Sequence, residues 1–302
     1  MSERVSPNQR AWQRFRRNLP ARISLGFFLL LLTLIFLGPL LSAYKPDALS
    51  DAQFQPPSAQ HWCGTDVHGR DLLARIMSGA RISLLVGAVG AGVSLVIGVI
   101  WGAVAGYAGG RVDGLLMRVV DVLYSLPSIV FVIVLITTLE EWLQTALLKG
   151  FGTNGAVSVR LLLLFIGLGA ISWLTMARIV RGQVLSLRTR NFVDASRALG
   201  ASHIRILWRH ILPNVYGIII VYLTLTVPGV ILYESFLSYL GLGIQPPMAS
   251  WGSLIAEGAS QLNPIRIYWW LIVFPGAALM TALLALNFLG DGLRDAFDPR
   301  VT

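Results

Sequence analysis

The stretch 178–213, RIVRGQVLSLRTRNFVDASRALGASHIRILWRHILP, lies between two long apolar runs and decides how the whole chain is interpreted. It carries seven arginines and a single acidic residue, Asp194. Residues that favour helix precede Gly200, and a second such run separates this glycine from Pro213. A flexible linker needs only polarity, whereas this stretch also offers apolar side chains at helical spacing. We therefore expect a small folded element that serves as a docking surface.

The chain around this stretch has the composition of a membrane protein. It contains 302 residues, of which 55% are hydrophobic and 13% charged, and its mean hydropathy is +0.68. A helix needs about 20 apolar residues to cross the hydrocarbon core of a bilayer. Six runs without ionisable residues approach or exceed that length: 23–43, 82–110, 122–139, 161–177, 211–233 and 267–290. The sequence therefore predicts an all-α membrane protein with six transmembrane helices. The first run is too long for a signal peptide and is expected to remain as a helix.

The basic residues predict the orientation of these spans. Six spans place both termini and the stretches 111–121 and 178–210 on one side, which holds 17 of the 24 Lys and Arg residues. Because loops rich in Lys and Arg stay in the cytoplasm, both termini are predicted to be cytoplasmic. The net charge of +9 is then mainly a topology signal. Nucleic acid is not an expected partner, whereas membrane lipid is expected to bind the basic N-terminal arm.

The sequence lacks two features, ionisable residues within the spans and a phosphate-binding loop, and each absence bears on which functions are expected. None of the six runs contains an ionisable residue, which lowers the odds of ion-coupled transport but leaves it open. A phosphate-binding loop requires Gly-x4-Gly-Lys-Ser/Thr, and neither Lys45 nor Lys149, the only lysines, follows a glycine. We therefore expect no enzymatic activity and no cofactor in this chain. If nucleotide drives its function, a partner must bind that nucleotide.

Glycines recur in the second apolar run. Gly98, Gly102 and Gly106 are spaced four apart and share one stripe of the predicted helix. Small residues at this spacing allow membrane helices to approach closely, and ordinary helix packing is the favoured explanation. The prolines at 127, 228 and 275 interrupt helical hydrogen bonds, and static kinks are favoured over hinges.

Local signals delimit a first short helix within the docking element. Asn191 is a favourable N-cap, and Asp194, three residues later, occupies the acidic position of a capping box. Gly200 suits the left-handed conformation that ends many helices. One apolar face of this helix is predicted to contain Phe192, Ala195 and Leu199, with Val193 beside it.

A second helix is expected to begin after Ser202, its predicted N-cap. Ile204, Leu207 and Ile211 recur in it at helical spacing. Two interpretations of the helix pair remain open. In one, it rests on lipid headgroups as an interfacial pair. In the other, its first helix inserts in a groove of a cytoplasmic partner.

The loop 44–81 carries weaker signals. Its histidines, its single cysteine and its acidic residues lack the spacing of a known ligand set, so no metal site is expected. Asp66 and Gly69 are expected to shape a turn, followed by an amphipathic helix that begins near Leu72. The arginines of this loop would contact an extracytoplasmic partner or reach lipid headgroups: Arg70, Arg75 and Arg81.

The spacing Asp194-Ala195-Ser196-x3-Gly200, followed by Leu212-Pro213, resembles the EAA loop in membrane subunits of bacterial ABC importers. The pattern of that family is Glu-Ala-Ala-x3-Gly-x9-Ile-x-Leu-Pro. Asp194 replaces the glutamate, Ser196 the second alanine and His210 the isoleucine. Asp194 keeps the negative charge, so the departures bear on the fit to a partner and not on the role.

Motifs elsewhere extend the resemblance to nearly the whole chain. They are similar to segments of the C-type membrane subunits of dipeptide and oligopeptide permeases. These motifs cover residues 64–71, 79–84, 107–113, 173–183, 236–243, 247–252 and 290–299. As a set they are far more specific than the EAA loop alone.

This resemblance implies a type I ABC importer (MetI-like) permease core in a bacterial cytoplasmic (inner) membrane. The implied partners are a second, homologous B-type permease subunit, two cytoplasmic ATP-binding subunits and an extracytoplasmic peptide-binding protein. The first short helix becomes the coupling helix, which sits in a cleft of the ATP-binding subunit. Its implied coupling residues are Phe192, Asp194, Ala195, Leu199 and Gly200. The implied function is import of di- or oligopeptides driven by ATP hydrolysis on the partners.

The resemblance also divides the chain into segments. They are a cytoplasmic basic arm (1–22), a first transmembrane helix (23–43), a periplasmic loop with an amphipathic segment (44–81), a five-helix permease core (82–290) and a cytoplasmic tail (291–302). The core contains the cytoplasmic coupling loop 178–210. Two rival classes remain: a secondary transporter or channel without an ATPase partner, and a membrane anchor for a cytoplasmic complex.

Overall fold

The computed structural model describes residues 7–41, 44–151 and 154–297. The first residues of the basic arm, the end of the first apolar run and the last residues of the tail lie outside these ranges. Within them the chain is helical, and its one β-type pairing is an isolated bridge between Thr65 and Asp71. The helices are α1 (Pro7–Arg17), α2 (Leu19–Leu41), α3 (Leu72–Ala108), α4 (Gly110–Ser125), α5 (Ser128–Phe151), α6 (Asn154–Leu187), α7 (Asn191–Ala198), α8 (His203–Ile206), α9 (Leu212–Tyr239), α10 (Trp251–Ser260) and α11 (Trp270–Phe297), with a π-helical turn (Leu207–Ile211) before α9.

Five of the described helices, or six if the bent pair α4 and α5 forms one span, are long and apolar enough to cross a membrane. The prediction of an all-α membrane protein is therefore confirmed. The run 122–139 is not a single helix, however, because α4 and α5 meet at 86°. Pro127 lacks a backbone N–H, and it drives the preceding Leu126 to an extended conformation with ψ near 133°.

Helix α3 is longer than the apolar run that predicts it. It begins at Leu72 and continues for 37 residues, a length of about 55 Å. The Asp71 carboxylate caps it by accepting a hydrogen bond from the Ala74 N–H at 2.8 Å. The amphipathic helix predicted near Leu72 is therefore the first part of α3 and not a separate element. One continuous helix joins the two ends of the bundle.

The two ends of the bundle have different characters. One end carries residues 188–211 together with the last turn of α3, and we call it the arginine-rich end. The other carries residues 44–71 and 240–269, and we call it the opposite end.

The glycine stripe of α3 packs against α6, as the sequence predicts. A Cβ atom placed on Gly98 would lie 2.6 Å from Met176 Cβ, and one on Gly106 would lie 2.7 Å from the Arg181 carbonyl oxygen. Between them, Gly102 meets the backbone carbonyl of Ala177. Such distances leave no space for a side chain, so the two helix backbones are in direct contact.

Buried ion pairs hold the opposite end together. Asp66 Oδ1 accepts from the backbone N–H of His68 at 2.8 Å, which forms the predicted turn at Gly69, where φ is +70°. Asp66 Oδ2 binds Arg70 Nε at 2.6 Å and Arg75 Nη1 at 2.8 Å. Both arginines are buried. The expectation that they reach a partner or lipid headgroups is therefore wrong, because they are neutralised within the chain.

Arg81, the third arginine of this group, also makes contacts inside the chain. Its Nε donates to the backbone carbonyl of Ile35 at 3.0 Å, and its Nη2 donates to that of Phe36 at 3.3 Å. It thereby links α3 to the end of α2.

The single cysteine lies beside the cap of α3. Burial raises the pKa of the Cys63 thiol to about 11, and the negative charge of Asp71 adds to this rise. A raised pKa favours the neutral thiol, whereas only the thiolate reacts with maleimides. At pH 7.5 we expect Cys63 to be labelled roughly 300-fold more slowly than an exposed cysteine, whose pKa is about 8.5. The measurement is a time course of mass-tagged maleimide labelling.

The matched control is the neighbouring residue, Trp62, whose side chain is exposed. A Trp62→Cys variant made in a Cys63→Ser background should react at the rate of a free thiol. Labelling of Cys63 should accelerate with each pH unit up to about 11. Equal rates for the two positions at pH 7.5 would contradict the burial of this thiol.

Candidate functional site

Helix α7 lies at the arginine-rich end and has the limits that the sequence predicts within one residue. Its N-cap is Arg190, with ψ at 147°, and no side chain caps it. The prediction that Asn191 is the N-cap is therefore wrong. Asp194 does not complete a capping box either, since its Oδ1 lies 3.1 Å from Arg197 Nη1. The helix is short, so tertiary packing must stabilise it more than its cap does.

The end of α7 follows the predicted glycine signal. Gly200 has φ at +76°, the left-handed conformation. Its N–H donates to the Arg197 carbonyl at 2.9 Å, and the N–H of Ala201 donates to the Ser196 carbonyl at 3.1 Å. These two bonds are the pair that defines a Schellman motif. The glycine thus turns the chain sharply toward α8.

One side chain anchors α7 to the bundle. Val193 is fully buried and belongs to the apolar cluster formed by residues of α3, α6 and α9. Burial of a valine side chain contributes about 2 kcal/mol. The sequence placed Val193 beside the apolar face, whereas the structure makes it the inward-facing residue. The five predicted coupling residues are all exposed at this end: Phe192, Asp194, Ala195, Leu199 and Gly200.

Three large apolar residues of the docking element are exposed. Phe192 is 39% exposed and Leu199 is 88% exposed. Ile204, which follows in α8, is 73% exposed. We call these three residues the apolar face of the docking element. Exposed large apolar side chains on an element that also carries charged ones are typical of a protein contact surface.

A π-helical turn changes the expected register of the second helix. The N–H of Leu212 donates to the carbonyl of Leu207, five residues earlier, and this pattern inserts one extra residue into the turn. Ile206 and Ile211, five apart, are consequently both buried. The predicted stripe of Ile204, Leu207 and Ile211 is therefore wrong, because it assumed a regular α-helix.

A cleft of about 700 Å³ opens between α7 and the last turn of α3. Tyr107 lines this cleft, with its hydroxyl 2.9 Å from His203 Nδ1. The guanidinium of Arg197 lies 6.0 Å from the centre of the Tyr107 ring. The residues that line the cleft are Tyr107, Ala108, Arg188, Thr189, Asp194, Arg197 and His203. In the sequence, Tyr107 belongs to the motif at 107–113, and no local signal predicts that it lies at this site.

Two of the seven arginines stabilise the frame of this site. Arg188 Nη1 donates to the carbonyls of Gly106 and Tyr107 at 3.3 Å each, so a cation meets the negative end of helix α3. Arg181 binds both carboxylate oxygens of Asp113 on α4, with 2.6 Å between Nη2 and Oδ2. These arginines therefore connect α3, α4 and α6, in addition to any effect of their charge on topology.

A further pair joins α4 to α6 nearby. Arg178 Nη2 lies 2.8 Å from Asp121 Oδ1, and its guanidinium stacks over the Tyr124 ring at 3.9 Å. Both members of the ion pair are partly exposed, so it contributes little to stability and serves mainly to orient the helices.

Two family profiles match the chain. Residues 98–302 match the binding-protein-dependent transport system inner membrane component. Residues 6–57 match the N-terminal transmembrane domain of oligopeptide transport permease C. The chain belongs to this permease family. The first profile begins in α3 and includes α7, the cleft and α10, whereas the second includes α1 and α2.

Relatives in this permease family match over nearly their full length. The chain is 45% identical to the oligopeptide transport system permease protein OppC of Haemophilus influenzae, over 97% of this chain and 88% of the relative. It is 43% identical to the dipeptide transport system permease protein DppC of Bacillus subtilis, over 98% and 87%. Identity to OppC of Escherichia coli strain K12 is 43%, over 97% and 91%.

A solved structure shows the fold of the permease. The inward-facing MetNI methionine ABC transporter matches with a TM-score of 0.55 and 18% identity, over 74% of this chain and 97% of that chain. At this identity the match concerns the fold alone. It supports the predicted type I importer core.

Proposed function

We propose that this chain is a permease subunit of an ABC importer that carries di- or oligopeptides into the cytoplasm. The observation that carries the proposal is identity of 43–45% to peptide permeases over nearly the whole chain. Its partners are a second permease subunit, two ATP-binding subunits and an extracytoplasmic peptide-binding protein. ATP is hydrolysed on the ATP-binding subunits, and this chain supplies part of the pathway through the membrane.

The arginine-rich end faces the cytoplasm in this proposal. The excess of Lys and Arg on the side of the stretch 178–210 supports that orientation. The opposite end, with residues 44–71 and 240–269, then faces the binding protein. A peptide released there would pass along the bundle toward the arginine-rich end.

Helix α7 acts as the coupling helix. Phe192 and Leu199 insert in a groove of the ATP-binding subunit, because amphipathic helices bind grooves through such apolar anchors. Val193 transmits the movement, since it is packed in the cluster that α3, α6 and α9 share. Tyr107 and His203 connect the same element to the end of α3. A displacement of α7 would therefore move three spanning helices together.

One observation in the structure favours an alternative function, that of a secondary transporter. The helices extend beyond the apolar runs, and α9 includes Glu234, a fully buried carboxyl group. Ionisable residues inside spanning helices are common in ion-coupled carriers. The energy source of uptake therefore has to be measured.

The test is uptake of a radiolabelled tripeptide by cells with and without this gene. We expect uptake to require the gene, to stop on addition of vanadate to a reconstituted system and to persist with a protonophore when ATP is maintained. Protonophore-sensitive and vanadate-insensitive uptake would favour a secondary transporter. Unchanged uptake after deletion of the gene would favour a membrane anchor.

A further inference from the structure

Glu234 lies in α9, less than two turns before the opposite end of the bundle begins at residue 240, and is fully buried. Its Oε1 accepts a hydrogen bond from Ser238 Oγ at 2.6 Å, and its Oε2 accepts one from Ser83 Oγ of α3 at 3.4 Å. A buried carboxyl group is costly, and an apolar residue of similar size would pack here at lower cost. Its presence therefore points to a role beyond stability.

The serines connect this carboxyl group, through hydrogen bonds, to backbone N–H groups before and at the start of α10. Ser83 Oγ accepts from the N–H of Trp251 at 3.2 Å, and Ser238 Oγ accepts from the N–H of Ile244 at 3.0 Å. Each hydroxyl has one proton to donate and two lone pairs to accept with. Because Glu234 receives the protons, the lone pairs stay available for these backbone groups.

A third serine completes the arrangement. Ser250 Oγ donates to Ser238 Oγ at 3.3 Å and accepts from the N–H of Ser253 at 3.1 Å, which caps α10. Ser238 therefore makes one donated and two accepted bonds, its full capacity. We call this set the Glu234 network: Ser83, Glu234, Ser238, Ser250 and the backbone N–H groups of Ile244, Trp251 and Ser253.

The other end of α10 is also fixed to α3. Arg75 Nη2 lies 3.0 Å from Glu257 Oε1, six residues after Trp251, whereas Arg75 precedes Ser83 by eight residues. Helix α10 therefore runs antiparallel to α3 and is bound to it at two points about 12 Å apart. Close backbone contact fills the space between, since a Cβ on Gly79 would lie 3.2 Å from the Ser250 carbonyl carbon.

The same helix, α3, reaches the cleft at the arginine-rich end through Tyr107. We propose that Glu234 is a positioning residue for transport, which fixes α10 to α3 and α9 so that α10 moves with α3 when α7 is displaced. This inference rests on the proposed function, in which α7 receives the movement of the ATP-binding subunit. Helix α10 is then the element at the opposite end that responds to ATP.

The direct test compares Glu234→Gln with the wild type in the assembled importer. Glutamine keeps the volume but presents N–H donors where the serines require an acceptor. By hydrogen exchange, the amides of residues 244–253 should exchange about 10-fold faster in the variant. The number of peptides imported per ATP hydrolysed should fall about 10-fold, while ATP hydrolysis and the amount of assembled complex change little.

Two serines of α3 provide a matched pair of variants. Ser83→Ala removes a member of the Glu234 network and should reproduce the effect of Glu234→Gln in weaker form. Ser94→Ala removes another buried serine of α3, whose Oγ donates to the Ser172 carbonyl at 2.7 Å. It should leave both the import ratio and exchange at 244–253 unchanged. Equal effects of the two serine variants would overturn the proposal.

A cross-link tests whether α10 moves with α3. A Cβ on Gly79 would lie 3.4 Å from Ser250 Cα, within reach of a disulfide. In a Cys63→Ser background, Gly79→Cys with Ser250→Cys should therefore form a disulfide. Because Ser250→Cys removes one member of the Glu234 network, the import ratio should be low while the two cysteines are reduced and should rise when the disulfide forms. The disulfide should also restore the import ratio of Glu234→Gln. If Glu234 only stabilised the fold, the disulfide would leave that ratio low.

The outcomes separate this inference from the proposed function. Import that stops on cross-linking and returns on reduction would show that α10 must move relative to α3, and would overturn the inference. Wild-type import and exchange in Glu234→Gln would do the same. A wild-type complex that imports no peptide would refute the proposed function, and the exchange rates at 244–253 would still decide whether Glu234 fixes α10.

Discussion

Replacement of Phe192 and Leu199 together by serine is expected to abolish peptide import while the protein stays folded and inserted. Both side chains are exposed, Leu199 at 88%, so their loss removes little from the packed core. In the complex they would be the buried anchors of α7. Anchors of this kind typically contribute about 2 kcal/mol or more each, so affinity for the ATP-binding subunit should fall roughly 1,000-fold. Co-purification of that subunit and uptake of labelled peptide are the measurements.

The matched control removes the same kind of surface from the opposite end. Leu262 and Ile265 are 60% and 88% exposed, so Leu262→Ser with Ile265→Ser costs a similar apolar area. This control should retain the ATP-binding subunit. If the Phe192 and Leu199 variant also retains it and imports peptide normally, then α7 rests on lipid headgroups and does not couple the complex.

Gly102→Val is expected to prevent accumulation of the folded protein. A Cβ at this position meets the backbone carbonyl of Ala177 on α6 and lies 3.0 Å from Arg181 N. Backbone atoms cannot rotate away as a flexible side chain can. The two helices would have to separate, and overpacking in a tight interior typically costs 1–3 kcal/mol, occasionally more. Such a loss is large against a marginal stability, so we expect at least ~10-fold less protein in the membrane.

Gly92 provides the control on the same helix. Among the residues that the structure describes, no atom outside its local helix lies within 4 Å of a Cβ placed there. Gly92→Val should therefore accumulate almost as the wild type does, since only the local effect of a β-branched residue remains. Immunoblots of membrane fractions and thermal unfolding in detergent measure both variants. Similar behaviour of the two would show that α3 and α6 are not in the close contact described.

Much of α7 could be predicted from its own residues. Gly200 ends the helix because the Schellman bonds involve residues within five positions of one another. The glycine stripe of α3 could likewise be predicted, since its spacing is a property of one helix. The π-helical turn could not be predicted, because the stripe of Ile204, Leu207 and Ile211 assumed a regular α-helix. Pro213 cannot donate to the carbonyl of Arg209, and this missing bond disturbs the regular spacing.

The roles of individual charges were not predictable in the same way. Arg75 was expected to point outward, but it pairs with Glu257, which lies 182 positions later in the chain. Glu234 lies directly after the apolar run 211–233, and no local pattern predicts a partner for it. Its partner Ser83 is 151 positions away. Contacts at such separations depend on which helix faces which, and no local pattern carries that information.

The sequence by itself determined five of the spanning helices, the short helix before Gly200 and the membership in a permease family, because apolar runs, glycine stops and motifs are local properties of the chain. Only the tertiary structure decided that Val193 faces inward while Phe192 and Leu199 remain exposed. It also decided that α3 is one continuous helix between the two ends and that Glu234 meets Ser83. The physical reason is that burial of an apolar face, and compensation of a buried charge, depend on partners that the fold brings from distant positions.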